Sequence, residues 1–169
     1  MRTSGDGWAL RSGIVVGLIA AIVSLFAFPV EGGSGTLGLD LTMASMPTGE
    51  LDVTPVGPFL RGAGLAPGDD AADGTLHVRN QTGVDLSVGI NVLPSTAYSD
   101  DIVRFTATHD GGVVMRGTIG DLRGMHPDVV RLRSGETADL KVVAEVVSGS
   151  QDHRGRVEDV IFELHSEVE

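Results

Sequence analysis

The sequence predicts an all-β fold, an antiparallel β-sandwich preceded by an N-terminal hydrophobic signal or anchor helix. From Thr36 onward apolar residues recur at every second position, the period of a strand with one face buried. No window sustains a 3.6-residue apolar period with caps at its ends. Clusters of Gly, Pro and Asp interrupt the chain often, leaving seven to nine short runs in roughly 135 residues.

The elements follow in order. Residues 14–28, IVVGLIAAIVSLFAF, are apolar and uncharged, with Arg2 and Arg11 before them and Pro29 and a flexible EGGSG after. A run of this length falls short of the roughly 20 residues that span a bilayer comfortably, which favours an export signal over a permanent anchor. Cleavage near Ala27 or at Val30-Glu31-Gly32 is expected, so residues 1–32 are a signal peptide or N-terminal membrane anchor with a flexible leader. Residues 33–169 are expected to form a single β-sandwich domain. Leu37, Leu39 and Leu41 alternate with Gly38 and Asp40, and Leu51 and Val53 follow the Met-rich MASMPTG. After the Pro67-Gly68-Asp69 turn, Leu76 and Val78 oppose His77 and Arg79, and Val84, Leu86, Val88, Ile90 and Val92 point to the core. Val103, Phe105 and Ala107 continue the pattern into His109-Asp110-Gly111-Gly112, a hairpin connection leading to 113–118. The segment Thr118 to Met125 holds one short helical turn at most. Val130 and Leu132, the turn at Ser134-Gly135-Glu136, the run Ala138 to Val146 and a last strand with Val160, Phe162 and Leu164 complete the chain.

Composition narrows the function classes. Aromatics are 4% of the 169 residues while 41% are hydrophobic, so the core is built from Val, Leu, Ile and Ala. The net charge is −11 and stays there when residues 1–32 are removed, because Arg2 and Arg11 balance Asp6 and Glu31. Such acidity argues against nucleic acid and against docking on anionic lipid, so a membrane contact is expected only through residues 14–28, and only if they are not cleaved. With no cysteine, a disulfide scaffold, a thiolate zinc site and a Cys nucleophile are all excluded.

Five stretches carry a family resemblance: TGELDV (48–53), LAPGD (65–69), LHVRNQTGVDLSVGI (76–90), VRLRSGETADLKVVAEV (130–146) and QDHRGRVEDVIFELHSEV (151–168). Behind an export signal, their order resembles the TasA/camelysin family of secreted bacterial surface and matrix proteins. The resemblance implies a jelly-roll or Ig-like sandwich, release to the cell surface or extracellular matrix, and fibre assembly as in some members. The exported region is short, however, and lacks the long insertions of fibre-forming members.

Some members of that family are described as metallopeptidases, yet the chain has no H-E-x-x-H, and its histidines, His77, His109, His126, His153 and His165, show no ligand spacing. His77 and His165 lie on outward strand positions and meet only if their strands are neighbours. The Asp69-Asp70-Ala71-Ala72-Asp73-Gly74 run, with Asp100 and Asp101 as further carboxylates, invites a calcium reading, but the EF-hand pattern fails at Ala71 and Asn80. Leu93-Pro94-Ser95-Thr96-Ala97 resembles a sortase signal and sits mid-chain without the apolar tail that must follow one. Asn80-Gln81-Thr82 matches a glycosylation sequon and reads as a polar corner between strands. No G-x-S-x-G or other activating context marks a nucleophile, so no catalytic residue, metal or cofactor is expected. What remains is the strand edge. Thr36 to Met46, with Leu37, Leu39 and Leu41, pairs within its own sandwich or inserts into the next copy as a donor strand. Deletion of 36–46 is then expected to leave a soluble monomer. The expected partners are accordingly the protein itself or, if an anchored module docks by a sheet edge, another exported surface protein.

Overall fold

The computed structural model describes residues 38–48, 50–68, 71–94, 100–147 and 156–168. The signal and its cleavage region, Leu37, Asp69, Asp70, Ser95 to Ala97 and His153 lie outside the described residues. The described chain is mostly strand: β1 (Leu39–Pro47), β2 (Leu51–Thr54), β3 (Gly57–Leu65), β4 (Ala72–Asn80), β5 (Leu86–Pro94), β6 (Val103–His109), β7 (Gly112–Thr118), β8 (Asp128–Leu132), β9 (Thr137–Val146) and β10 (Arg156–Val168). A single helical turn, α1 (Ile119–Leu122), falls inside the segment expected to hold one. Thr118 caps it: Asp121 N donates to Thr118 Oγ1 at 3.2 Å and Thr118 N donates to Asp121 Oδ2 at 2.9 Å. The Thr118 amide first, and then the Thr118 hydroxyl, hold the Asp121 carboxyl below the usual carboxylate range.

The strands form two five-stranded sheets, β3-β1-β10-β5-β8 and β2-β4-β9-β6-β7. Alternation explains the shared interior: Leu76 and Val78 of β4, Val88, Ile90 and Val92 of β5, Leu140 and Val142 of β9, and Val160, Phe162 and Leu164 of β10 are all at most 1% exposed. With so few aromatics, two phenylalanines mark the centre. Phe105 of β6 meets Phe162 of β10 edge-on across the interface, ring centres 5.4 Å apart at 88°. The β6-β7 connection is the expected one, with Asp110 (φ 50°) and Gly111 (φ 78°) both left-handed, as a two-residue hairpin of right-handed twist requires.

Three features depart from the sequence reading. Seven of the eight strand pairings in these sheets are antiparallel, but β1 and β10, the first and last described strands, run parallel along their whole shared length, from Leu39 opposite Arg156 to Pro47 opposite Leu164. Strand β3 was not expected at all, because GPFLRGAGL has no alternation. It pairs with β1 through two register shifts, and the irregularity that erases the pattern is the bulging itself. Val84 is 46% exposed and precedes β5 instead of joining its buried face.

Candidate assembly site at the first strand

Of the self-association residues, Leu39 and Leu41 lie in β1 and are each 1% exposed, while Leu37 is outside the described residues. Met43 completes the same inward row at 0%. The strand is interior to its sheet, bonded to β10 on one side and antiparallel to β3 on the other. Burying three such side chains stabilises the fold by roughly 1.5–3 kcal/mol each. Taking β1 away would therefore open a slot between β3 and β10, walled by Leu60, Val160 and Phe162.

Polar contacts fix how β1 sits. Asp40 points to the outer side, where its Oδ1 accepts from Gly64 N at 2.8 Å at the first β3 bulge. Beside it the chains approach so closely that a Cβ on Gly38 would stand 2.1 Å from the Gly64 carbonyl carbon. Near the far end Ser45 donates its hydroxyl to the Pro55 carbonyl. At the exit, Thr48 N and Thr48 Oγ1 both donate to Leu164 O at 2.8 Å, clamping the turn into β2 onto β10. None of these polar anchors was singled out from the sequence. The MPTG motif was the only trace of the clamp.

The outermost strands are guarded. β2 is four residues long with Asp52 and Thr54 exposed, and Pro55 follows it. β3 carries Pro58 and its two register shifts. β8 is five residues long, shifts register at Gly89, and exposes Asp128 and Arg131. β7 has a register shift against β6 and an exposed Arg116. Short length, bulges, proline and charge are the devices that discourage edge-to-edge pairing.

The remaining sequence candidates are dispersed. His77 and His165 stand on β4 and β10, in different sheets, and do not meet. His77 Nδ1 instead lies 2.6 Å from Asp139 Oδ1, one of several exposed cross-strand pairs on the outer face of the second sheet, with Lys141 to Asp73 and Arg104 to Glu145 at 3.4 Å. Pairs so exposed contribute about 0–1 kcal/mol each. His109 Nε2 lies 3.5 Å from its neighbour Asp110. Of the acidic groups considered for calcium, Asp73 pairs with Lys141 and Asp100 with Arg123. Leu93 and Pro94 close β5, so the sortase-like motif starts in a strand. Asn80 is 0% exposed, and its Nδ2 bonds three carbonyls, which agrees with a corner and leaves no amide free for a glycan. Glu158, which faces Leu41 across the parallel ladder, is 1% exposed and was not noticed in the sequence. Its neighbour Asp159 is pushed above the usual carboxylate range, by burial first and by the Glu158 charge second. Among the described residues, one open and mostly polar depression is lined by Glu50, Leu51 and residues 81–84, and another by Asp85, Arg131, Arg133 and Glu136. Comparison with known proteins finds no matching family model, curated protein or solved structure.

Proposed function

We propose that the protein is an exported, non-enzymatic β-sandwich that serves as a structural component of the cell surface or extracellular matrix. It is of the jelly-roll-like type that the TasA/camelysin resemblance implies, and copies join by exchanging β1. The position of β1 carries this reading. It is the first described strand, it supplies two ladders and a row of buried apolar side chains, and a connection of only three residues of sequence, 48–50, separates it from β2. A copy that lends β1 to the slot between β3 and β10 of the next rebuilds the same ladders, so exchange costs only the opening of that connection and the entropy of association. The guarded outer strands favour this route over docking at an edge. A net charge of −11 opposes assembly until salt or a cation screens it.

The interior place of β1 changes the test. Deleting 36–46 would remove part of the core along with the donor strand, so it is expected to unfold the sheet and not to leave a folded monomer. A lock is cleaner. Ala44 and Ile161 are ladder partners of β1 and β10, and the chain has no other cysteine to interfere. The oxidised Ala44→Cys/Ile161→Cys protein is expected to stay monomeric by electron microscopy and gel filtration at raised salt, and the reduced protein to assemble as the wild type does. Fibres from the oxidised variant at the wild-type rate would sink strand exchange; a wild type that never assembles would sink the structural role.

A further inference from the structure

On the outer face of the first sheet two histidines distant in sequence come together. His165 projects from β10 opposite Gly89 of β5. Because that glycine has no side chain, the imidazole lies over the neighbouring strand: a Cβ added at Gly89 would stand 2.3 Å from His165 Nε2 and 2.5 Å from its Cε1. His126 arrives from the other side, in the segment joining α1 to β8. There Ile90 N donates to Pro127 O at 3.2 Å, and Asp128 is the ladder partner of Gly89. The backbone next to His126 is thereby fixed beside the same glycine. The two rings meet with centres 5.5 Å apart and planes at 82°.

We propose that His126 and His165 form a two-histidine binding site for a borderline divalent transition-metal ion, holding copper(II) more tightly than zinc(II). Imidazole nitrogen is the donor such ions prefer, and the usual affinity order places copper above zinc. The spacing suits a shared ion. Metal–nitrogen bonds of about 2.0–2.1 Å, opened between a right angle and the tetrahedral angle, put two ring centres about 4.5–5.2 Å apart. The observed separation needs a closure of only a few tenths of an ångström, roughly, to reach that upper value, and His126 is exposed. Glu163, two residues before His165 on the same face, has its Oε2 bonded by Asn91 Nδ2 at 3.0 Å. Among the described residues no group of three or more His, Asp or Glu is arranged to hold an ion. The other coordination positions therefore fall to water or to a group on a second molecule.

Copper(II) chloride and zinc chloride titrated into the full chain, with calorimetry for affinity and electron paramagnetic resonance for the copper complex, test the site. The wild type is expected to bind a single copper ion saturably, with a spectrum split by two imidazole nitrogens. His126→Ala, at an exposed position where folding is not at stake, is expected to weaken binding on the order of a hundredfold, since the second donor acts at high effective concentration. It should also reduce the spectrum to one imidazole. His165→Ala is expected to do the same, and His77→Ala, whose ring bonds Asp139, to change neither. Unchanged affinity in His126→Ala, an effect confined to one member of the pair, or a two-nitrogen spectrum that survives either substitution would overturn the proposal.

Discussion

Replacing Asn80 by alanine tests how the two sheets are tied at the corner between β4 and β5. The side chain is wholly buried, with Oδ1 accepting from Thr82 N at 2.8 Å and from Thr82 Oγ1 at 2.7 Å. Its two Nδ2 protons are shared among Val84 O at 2.7 Å and Leu132 O and Arg133 O at 3.1 Å, so one side chain links β4, the corner and the end of β8. Two accepted and two donated bonds at about 1 kcal/mol each set the loss near 4 kcal/mol. Some of that is recovered. Val84 O keeps a donor in Thr82 Oγ1 at 3.0 Å, and Arg133 O keeps Glu136 N at 3.0 Å. The backbone bonds Asn80 N to Glu136 O and Gly135 N to Asn80 O also survive. The expected cost is therefore about 3 kcal/mol. Urea unfolding followed by far-UV circular dichroism reads this directly: at a slope of about 1.5 kcal/mol/M the midpoint falls by about 2 M with the slope unchanged. Asn80→Asp keeps both accepted bonds but turns a carboxylate toward three carbonyls, and is expected to be at least as harmful. A loss under about 1 kcal/mol for alanine, or an aspartate variant as stable as the wild type, would refute the reasoning that the donated protons hold the corner.

Two further outcomes are expected. Phe162→Ala, which empties a site at 0% exposure and removes the edge-on contact with Phe105, should cost about 3–5 kcal/mol in the same assay, with Phe162→Leu losing distinctly less. Asp159 is held above the usual carboxylate range by burial and then by Glu158, so the folded state binds its proton more tightly than the unfolded chain does. Its contribution to stability is present below the ordinary aspartate value and is lost as pH rises through the raised one. Asp159→Asn should accordingly stabilise the protein at neutral pH, by less than about 1 kcal/mol because the group still touches water, and the gain should vanish near pH 3, roughly, when unfolding is compared across pH.

Much of the interior was legible because alternation is local. Val88, Ile90 and Val92 announce their own buried face whatever strand lies next to them, and the Asp110-Gly111 turn needs only its two residues to fix its hand. Where local signals were blurred, the reading failed. β3 is threaded with glycine, proline and bulges, so its period was lost, although Leu60 within it is 2% exposed. Asn80 looked like the head of a polar loop, and only the convergence of three carbonyls from two segments makes it a core residue. His126 and His165 carry no mutual spacing, since thirty-eight intervening residues, about the length of a β8-to-β10 excursion, separate ligands that a glycine on a third strand brings together.

The sequence by itself determined the fold class, the aliphatic character of the core and the sites of several turns, because each follows from backbone preference and burial within a few consecutive residues. The tertiary structure alone decided that β1 lies between β3 and β10 and runs parallel to the chain's last strand, with Thr48 clamped to Leu164. Strand partnership is settled by which ladders and apolar faces can close at once, and that choice spans the whole chain, where no period or turn motif can record it.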